Sequence, residues 1–342
     1  MKIALITTTI NVPTVLSLYR KLDPDVRFFV ALDKKTPFEA EDFIRDLPNS
    51  VLIWEGVTRW ACSDLIGWNT IARRNIALLE ALKWGADVLV TIDDDNIPID
   101  PFYFESFLRV LNWRERPDAL LGSVLFDGIT VDKTDWFDVG ALLDPVSPHR
   151  GFPYDRKQAP SFGHVVGTKV GVAAGVCLGD PDISAYTRLA AGPISHRVSE
   201  LLRAGIVVDP RRTRTVFNSQ NTAFVRELAP CFLMVPSYGR FDDIYASLVA
   251  QRVMREKGRH IHFGQPFVWQ SRNPHNLLSD LRAEQWGAEH ILEFSAWLDG
   301  FLGVHDVVGF LRVMATNLPK FIPSGTQELW LAWLDDCERA MK

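Results

Sequence analysis

Cysteine is scarce: the 342-residue chain has four, and Cys62, Cys177, Cys231 and Cys337 stand too far apart for any CxxC pair. That spacing fits neither a zinc site nor a dense disulfide framework, and reduced thiols are the simpler reading. No apolar run reaches the roughly 18 residues of a membrane span. The N-terminal MKIALITTTI has one lysine, and threonines break its apolar run, so it reads as a buried first strand rather than a signal peptide. Phosphate-binding glycine loops are missing as well. TTTINVPT follows the first strand where GxGxxG would stand, and no GxxxxGK followed by Ser or Thr occurs, so neither a Rossmann dinucleotide site nor a P-loop is supported. A basic excess is also lacking, since the net charge is −5, which argues against a general nucleic-acid binder. There is no internal repeat, low-complexity tract or flexible linker. The expectation is a soluble, cytoplasmic protein without membrane or nucleic-acid partners.

What is present is ordinary globular composition, 47% apolar and 23% charged, in a chain long enough for one large domain or two. Over the first 126 residues strand and helix signals alternate. Strands are expected at Ile3 to Thr8, Arg27 to Leu32, Val51 to Trp54 and Val88 to Ile92, with helices from Pro13 to Lys21, Pro37 to Asp46 and Thr70 to Leu82. The third of these helices reads as amphipathic. Such alternation implies an α/β fold with a mostly parallel sheet and helices on both faces. The Pro- and Gly-richer middle, 128–236, reads as mixed sheet, loops and short helices, and Asp242 to Glu256 as helix. From about Ala283 the apolar spacing predicts a helical region. The expected organisation is a catalytic domain over 1–282 with a helical C-terminal appendage over 283–342.

The sharpest local signal is TIDDDNIP, Thr91 to Pro98. VLVTI before it is a continuous β-rich run fit for a central strand, and ligands of such sheets bind beyond the carboxyl ends of the strands. If the strand geometry continued, Asp93 and Asp95 would share one face and could converge on a cation. Carboxylates suit Mg2+ or Mn2+, which keep waters and share substrate phosphate oxygens. The alternative is a solvated turn or helix cap, but Asp100-Pro101 already supplies a cap for the next helix. Three consecutive acids past a buried strand repel one another unless a cation compensates.

The chain resembles a known family in several ordered blocks. TIDDD at Thr91 to Asp95, HRGFPY at His149 to Tyr154, GVCLGDPDISAYTRL at Gly175 to Leu189, NTAFVRE at Asn221 to Glu227, GRFDDIYA at Gly239 to Ala246 and NPHNLL at Asn273 to Leu278 are similar to blocks of the reversibly glycosylated polypeptides. These are UDP-arabinopyranose mutases, with bacterial relatives that interconvert pyranose and furanose nucleotide sugars without flavin. Several blocks are also similar to STELLO-type Golgi glycosyltransferase-like proteins. The resemblance implies a GT-A-like fold, a nucleotide-diphosphate sugar as substrate, and Mn2+ or Mg2+ with no flavin. It maps the arginine that becomes glycosylated in the plant proteins onto Arg150. It departs where the plant proteins have a histidine after the tryptophan, because Trp269 is followed here by Gln270; His262 and His275 are nearby substitutes, and His275 is taken as the third metal ligand.

Each implied role has a plainer counterpart. Arg150 is an ordinary loop arginine or a site residue, and as a protonated guanidinium it is a poor nucleophile but a good bidentate clamp for a diphosphate. Asp242 and Asp243 either favour a helix N-terminus or face the sugar as catalytic carboxylates. Arg240 is a phosphate contact or a surface charge, and Asp33 a base reader or a turn aspartate. Arg74 points at the acidic cluster or, with Arg73, lies on a solvated helix face. Thr8, Thr9 and Asn11 follow the first strand where they could touch nucleotide, although threonine is common in strands. Asp94 and Asn221 complete the substrate-binding set. His260 and His262 share a side of one strand, and for at least one an exposed edge position is expected.

The leading expectation is a metal-dependent nucleotide-sugar pyranose–furanose mutase, an isomerase, with a GDP-hexose slightly favoured over a UDP-sugar. The alternatives are a glycosyltransferase using a separate acceptor and, last, a non-catalytic scaffold. A homo-oligomer is compatible with all three.

Overall fold

A computed structural model describes residues 1–54, 60–111, 126–156, 159–272, 275–303 and 306–342. Asn273 and Pro274 of the last block, and His305, lie outside the described residues. Strands β1 (Ile3–Thr9), β2 (Arg27–Leu32), β3 (Ser50–Ile53) and β4 (Val88–Ile92) are connected by α1 (Leu16–Leu22), α2 (Phe38–Asp46), and α3 (Cys62–Ile66) with α4 (Arg74–Trp84). They lie in the order β3-β2-β1-β4, every pair parallel. All five residues of β4 are buried, as its unbroken apolar pattern requires of a strand covered on both faces. The chain leaves β1 for β2 on one side and returns to it with β4 on the other. At such a reversal the loops beyond the strand ends part and leave a crevice.

The remaining strands are β5 (Asn96–Pro98), β6 (Phe126–Val131), β7 (Leu143–Asp144), β8 (Phe162–Gly179), β9 (Arg197–Val198), β10 (Ile206–Val208), β11 (Asn221–Val225) and β12 (Arg259–Gln270). Helices α5 (Tyr103–Leu111), α6 (Ala185–Ala190), α7 (Glu200–Ala204) and α8 (Asp242–Lys257) lie among them. β11 enters antiparallel between β4 and β8 and joins the parallel half to a mixed half, making a ten-stranded sheet among the described residues. The first part of β8 pairs with β6, its second part with both β11 and β12, and β10 bridges β6 to β12, so that β8, β6, β10 and β12 close a ring. A strand of 18 residues was not expected in this Gly-rich stretch. The small residues serve close approach: a Cβ on Gly175 would stand 2.4 Å from Asn221 Nδ2 and 2.5 Å from the Pro266 carbonyl oxygen.

The C-terminal helices α9 (Leu277–Asp299), α10 (Val307–Thr316) and α11 (Thr326–Met341) are built into the molecule. The expected boundary at 282/283 falls inside α9, which Asn276 caps by accepting hydrogen bonds from the Leu278 and Ser279 amides. α11 packs on α3 and α4. Asp336 accepts the Cys62 amide at 2.8 Å, and Trp333, fully buried, donates its indole N–H to the Pro230 carbonyl at 2.8 Å. This explains a departure from the sequence pattern: α4 is not amphipathic but buried almost all round, because the sheet covers one face and α11 the other. The histidine expectation also fails. His260 and His262 are both buried, since β12 is an interior strand between β8 and β10. No helix among the described residues is long and apolar enough to cross a membrane.

Candidate active site at the β1–β4 crevice

The crevice at the carboxyl ends of β1 and β4 is an open cleft with an empty volume of about 1110 Å³. Thr8, Thr9 and Asn11 after β1, Asp33 after β2, Arg74 at the start of α4 and Asp93 to Asp95 after β4 all line it, joined by Arg240, Gln270, Arg272 and His275. Most of the expected substrate- and metal-binding residues therefore meet at one place. The acidic residues are not a continuation of β4: the Asn96 amide bonds back to the Asp93 carbonyl at 3.3 Å, closing a turn between β4 and β5. Each of the three carboxylates has a different partner.

Arg74 pairs with Asp93 Oδ1 and also donates to the Ser219 carbonyl and hydroxyl at 3.1 and 2.8 Å. Asp94 accepts the Thr9 hydroxyl. Asp95 faces Gln270, whose Nε2 lies 3.3 and 3.4 Å from its two oxygens. Burial raises the Asp95 carboxyl first, then the neighbouring Asp93 carboxylate, to about 7 despite the Gln270 hydrogen bond. Burial, then Asp93, also raises Asp94 against the pull of the Thr9 hydroxyl. The turn carries more negative charge than Arg74 alone offsets.

The opposite wall is cationic and is supported by α9. Arg240 donates its Nε to Glu284 at 3.0 Å and lies 3.7 Å from Asp280. Asp280 also meets Arg272 at 3.4 Å and His275 Nδ1 at 3.1 Å. The Arg272 side chain is 8% exposed, its Nε lacks a hydrogen-bond partner among the described residues, and burial, then Arg188 and Arg240, works against its charge. A buried, like-charge-crowded guanidinium with a spare donor favours an anion in the cleft.

Whether this cleft suits a divalent cation can be tested on Gln270. Its Oε1 is buried without a partner among the described residues. Turned about its amide, it would present that oxygen beside Asp95. No group of three or more His, Cys, Asp or Glu side chains among the described residues forms a cage. An all-protein cage is not what Mg2+ or Mn2+ needs when substrate phosphates complete the shell. Asp95, the free oxygen of Asp93 and Gln270 fit such a half-open site. His275 lines the same cleft but is held by Asp280.

Other expected residues have different positions. The Asp33 carboxylate accepts three backbone amides, Lys34 at 2.5 Å, Asn69 at 2.7 Å and Thr70 at 3.0 Å, and so fastens the loop before α4. Thr8 donates to the Ala31 carbonyl at 2.8 Å. Asn221 lies outside the cleft, its amide spent on the Pro266 carbonyl at 2.9 Å and on the Tyr103 hydroxyl at 2.6 Å. Arg73 is buried under Trp68 and bonded to Ser63, not on a solvated face.

Arg150, Asp242 and Asp243 are buried one layer behind the cleft. Arg150 donates to Asp182 through Nε at 2.8 Å and Nη2 at 2.9 Å, to Asp243 at 3.1 Å, and to the Arg240 carbonyl. Burial opposes its charge, but Asp182 and Asp243 hold it protonated. Burial likewise would raise Asp182, yet Arg150, then His149, with hydrogen bonds from Arg150 and Asn218, hold it far below the usual carboxylate range. Asp243 takes the Ser219 amide and hydroxyl at 3.0 and 3.2 Å. A continuous polar chain therefore runs from Asp182 through Arg150, Asp243, Ser219 and Arg74 to Asp93. Asp242, in the first turn of α8, accepts the Asp243 amide at 2.8 Å; burial, then the Asp243 carboxylate, raises it to about 7.

Sequence reasoning did not assign Asp182, Ser219, Arg272, Asp280 or Glu284 to the site. Asp182 stands in the GDPDIS block and Arg272 just before NPHNLL, so proximity to a block was a usable signal for those two. For Ser219, Asp280 and Glu284 there was none.

No family model and no curated protein matches the chain. Among solved structures it is similar to glucosyl-3-phosphoglycerate synthase from Mycobacterium tuberculosis in complex with Mn2+ and uridine-diphosphate-glucose, with 12% identity and a TM-score of 0.42 over 88% of this chain and 80% of that one.

Proposed function

We propose that the cleft binds a nucleotide-diphosphate sugar together with a divalent cation, and that the chain interconverts the pyranose and furanose forms of that sugar. The observation that carries the binding half is the pairing of walls: an under-compensated acidic turn on one side, and Arg240 and Arg272 on the other. A cation held by Asp93, Asp95 and Gln270 would neutralise diphosphate charge and so ease its departure from the anomeric carbon. Arg272 and Arg240 would grip the diphosphate oxygens and keep the nucleotide in place after that bond opens. The ordered sequence blocks carry the ring-exchange half. In that exchange the bond from the anomeric carbon to the diphosphate oxygen breaks, and a second sugar hydroxyl closes on the carbon as the ring oxygen leaves. One proton passes from the incoming to the departing oxygen, and the same diphosphate oxygen re-forms its bond. Atoms and charge balance without flavin or acceptor. Arg150 acts in this reading by holding Asp182 and Asp243, not by carrying the sugar, because each of its three nitrogens already donates to a protein oxygen.

The second reading is transfer to a separate acceptor. A metal and a cationic wall around the diphosphate would serve that reaction equally, and the cleft is open to solvent, so an acceptor can approach. Incubating the protein with Mn2+ and a panel of GDP-hexoses and UDP-sugars, without acceptor, separates the readings by chromatography. A new nucleotide-sugar peak of unchanged mass is expected. Product that forms only when an acceptor is added would establish the transferase, and no metal-dependent nucleotide binding at all would leave a scaffold.

A further inference from the structure

Toward the C-terminal end of α8, the loop after β10 and the ends of α8 and α9 line a second, open cavity, with an empty volume of about 800 Å³ that includes open solvent. Its lining is unusual for a chain of net charge −5: Arg211, Arg212 and Arg214 come from the loop, and Arg252 and Arg255 from α8, with Asp299 at the end of α9 the one acid in the lining. We propose that this arginine-lined cavity is an anion site, separate from the cleft, for a small molecule bearing phosphate groups.

Charge bookkeeping supports it. Asp209 takes Arg211 in a two-pronged pair at 2.9 Å through both Nε and Nη2. Asp299 is shared between Arg214 and Arg255, and Asp135 between Arg214 and Arg156. Glu256 meets Arg252 at 2.8 Å. Five guanidinium groups thus face four carboxylates, two of them divided between two arginines, and among the described residues Arg212 has no carboxylate partner. Arg252 is itself buried, fixed by the Leu298 and Phe301 carbonyls and lying against the Phe310 ring, so its charge cannot swing out to water. Like charges held together in a concave wall repel until an anion enters, and guanidinium forks match phosphate oxygens in pairs.

The walls are also well positioned for such a task. Gln251, one residue before Arg252, holds the loop through the Thr215 amide and carbonyl at 3.1 and 2.8 Å. Rigid support of this kind is what holds a ligand-binding fork in place.

Calorimetric titration of inorganic pyrophosphate into the full-length protein tests the proposal, in EDTA and at fixed ionic strength. The Arg272→Gln variant serves as background, so that the cationic wall of the cleft is weakened. Saturable binding is expected there, and at least a tenfold loss on adding Arg212→Ser and Arg255→Ser. Both residues are exposed, so the fold is not at stake, and the single Arg212→Ser change gives a partial loss if the double change harms solubility. Absence of saturable binding in the Arg272→Gln background, or binding untouched by the Arg212 and Arg255 changes, overturns the site. Neither result bears on the cleft, whose metal-dependent binding is measured separately.

Discussion

Arg150 holds together two carboxylates that would otherwise be stranded in the interior. Removing one partner of a buried ion pair costs about 3–5 kcal/mol, since the remaining charge is left without compensation. Arg150→Ala is therefore expected to lower stability by that order in chemical denaturation. Arg150→Lys keeps the charge but cannot reach Asp182, Asp243 and the Arg240 carbonyl at once; turnover should collapse while nucleotide-diphosphate binding largely persists. Intact-mass spectra of the wild type during turnover should show no sugar adduct, and an adduct mapped to Arg150 would sink the positioning role. Asp242 offers a titration at the same scale. Its carboxyl is raised to about 7 in the folded protein against 3.8 otherwise, so the folded state holds more protons across that window. Stability of the metal-free protein should accordingly fall as pH rises from about 4 to 7, by up to ~1.4 kcal/mol per pH unit from this one group. Asp95 adds in the same direction. Asp242→Asn, which can still accept the Asp243 amide, should flatten the slope of denaturation midpoint against pH; an unchanged slope would reject the raised carboxyl.

Among the elements, α9 has the least obvious duty. Glu284 accepts Arg240 with one oxygen and, with the other, the Ala185 amide at the start of α6 at 2.8 Å. Glu284→Ala should free Arg240 and weaken nucleotide-diphosphate binding about tenfold, roughly 1.4 kcal/mol, with Glu284→Gln intermediate in calorimetry. Wild-type affinity in the Ala variant would show that Arg240 needs no support. Nothing in DLRAEQW reveals this, because an acid on a helix ordinarily faces water and only the folded chain brings Glu284 under Arg240. The same reason separates what could be read in advance from what could not. β1, β2, β4 and α8 follow from local runs and spacing, and the acidic turn was visible because three acids follow a buried strand. β8 was hidden by glycines whose purpose is a contact with Asn221 and Pro266. The polar chain from Asp182 to Asp93 joins six separate stretches of sequence, and the burial of α4 depends on a helix more than 240 residues further along the chain.

At the scale of the molecule, the C-terminal helices form one side of the core. A protein ended at residue 282 would expose the outer face of α4 and cut α9 after its first turns, and it is expected to be insoluble or to lack a cooperative thermal transition. A soluble, cooperatively melting fragment would show that residues 1–282 stand alone. The embrace of α3 and α4 by α11 also sets a schedule for biosynthesis. The Cys62 amide and Asp336 are 274 residues apart. At about 5–20 residues per second, that separation is roughly 14–55 s of translation, during which the nascent β-α-β half carries an uncovered apolar face. The chain therefore meets the ribosome and its attendant chaperones as an unfinished surface, and its yield in a cell should depend on how well that face is shielded until the last helix emerges.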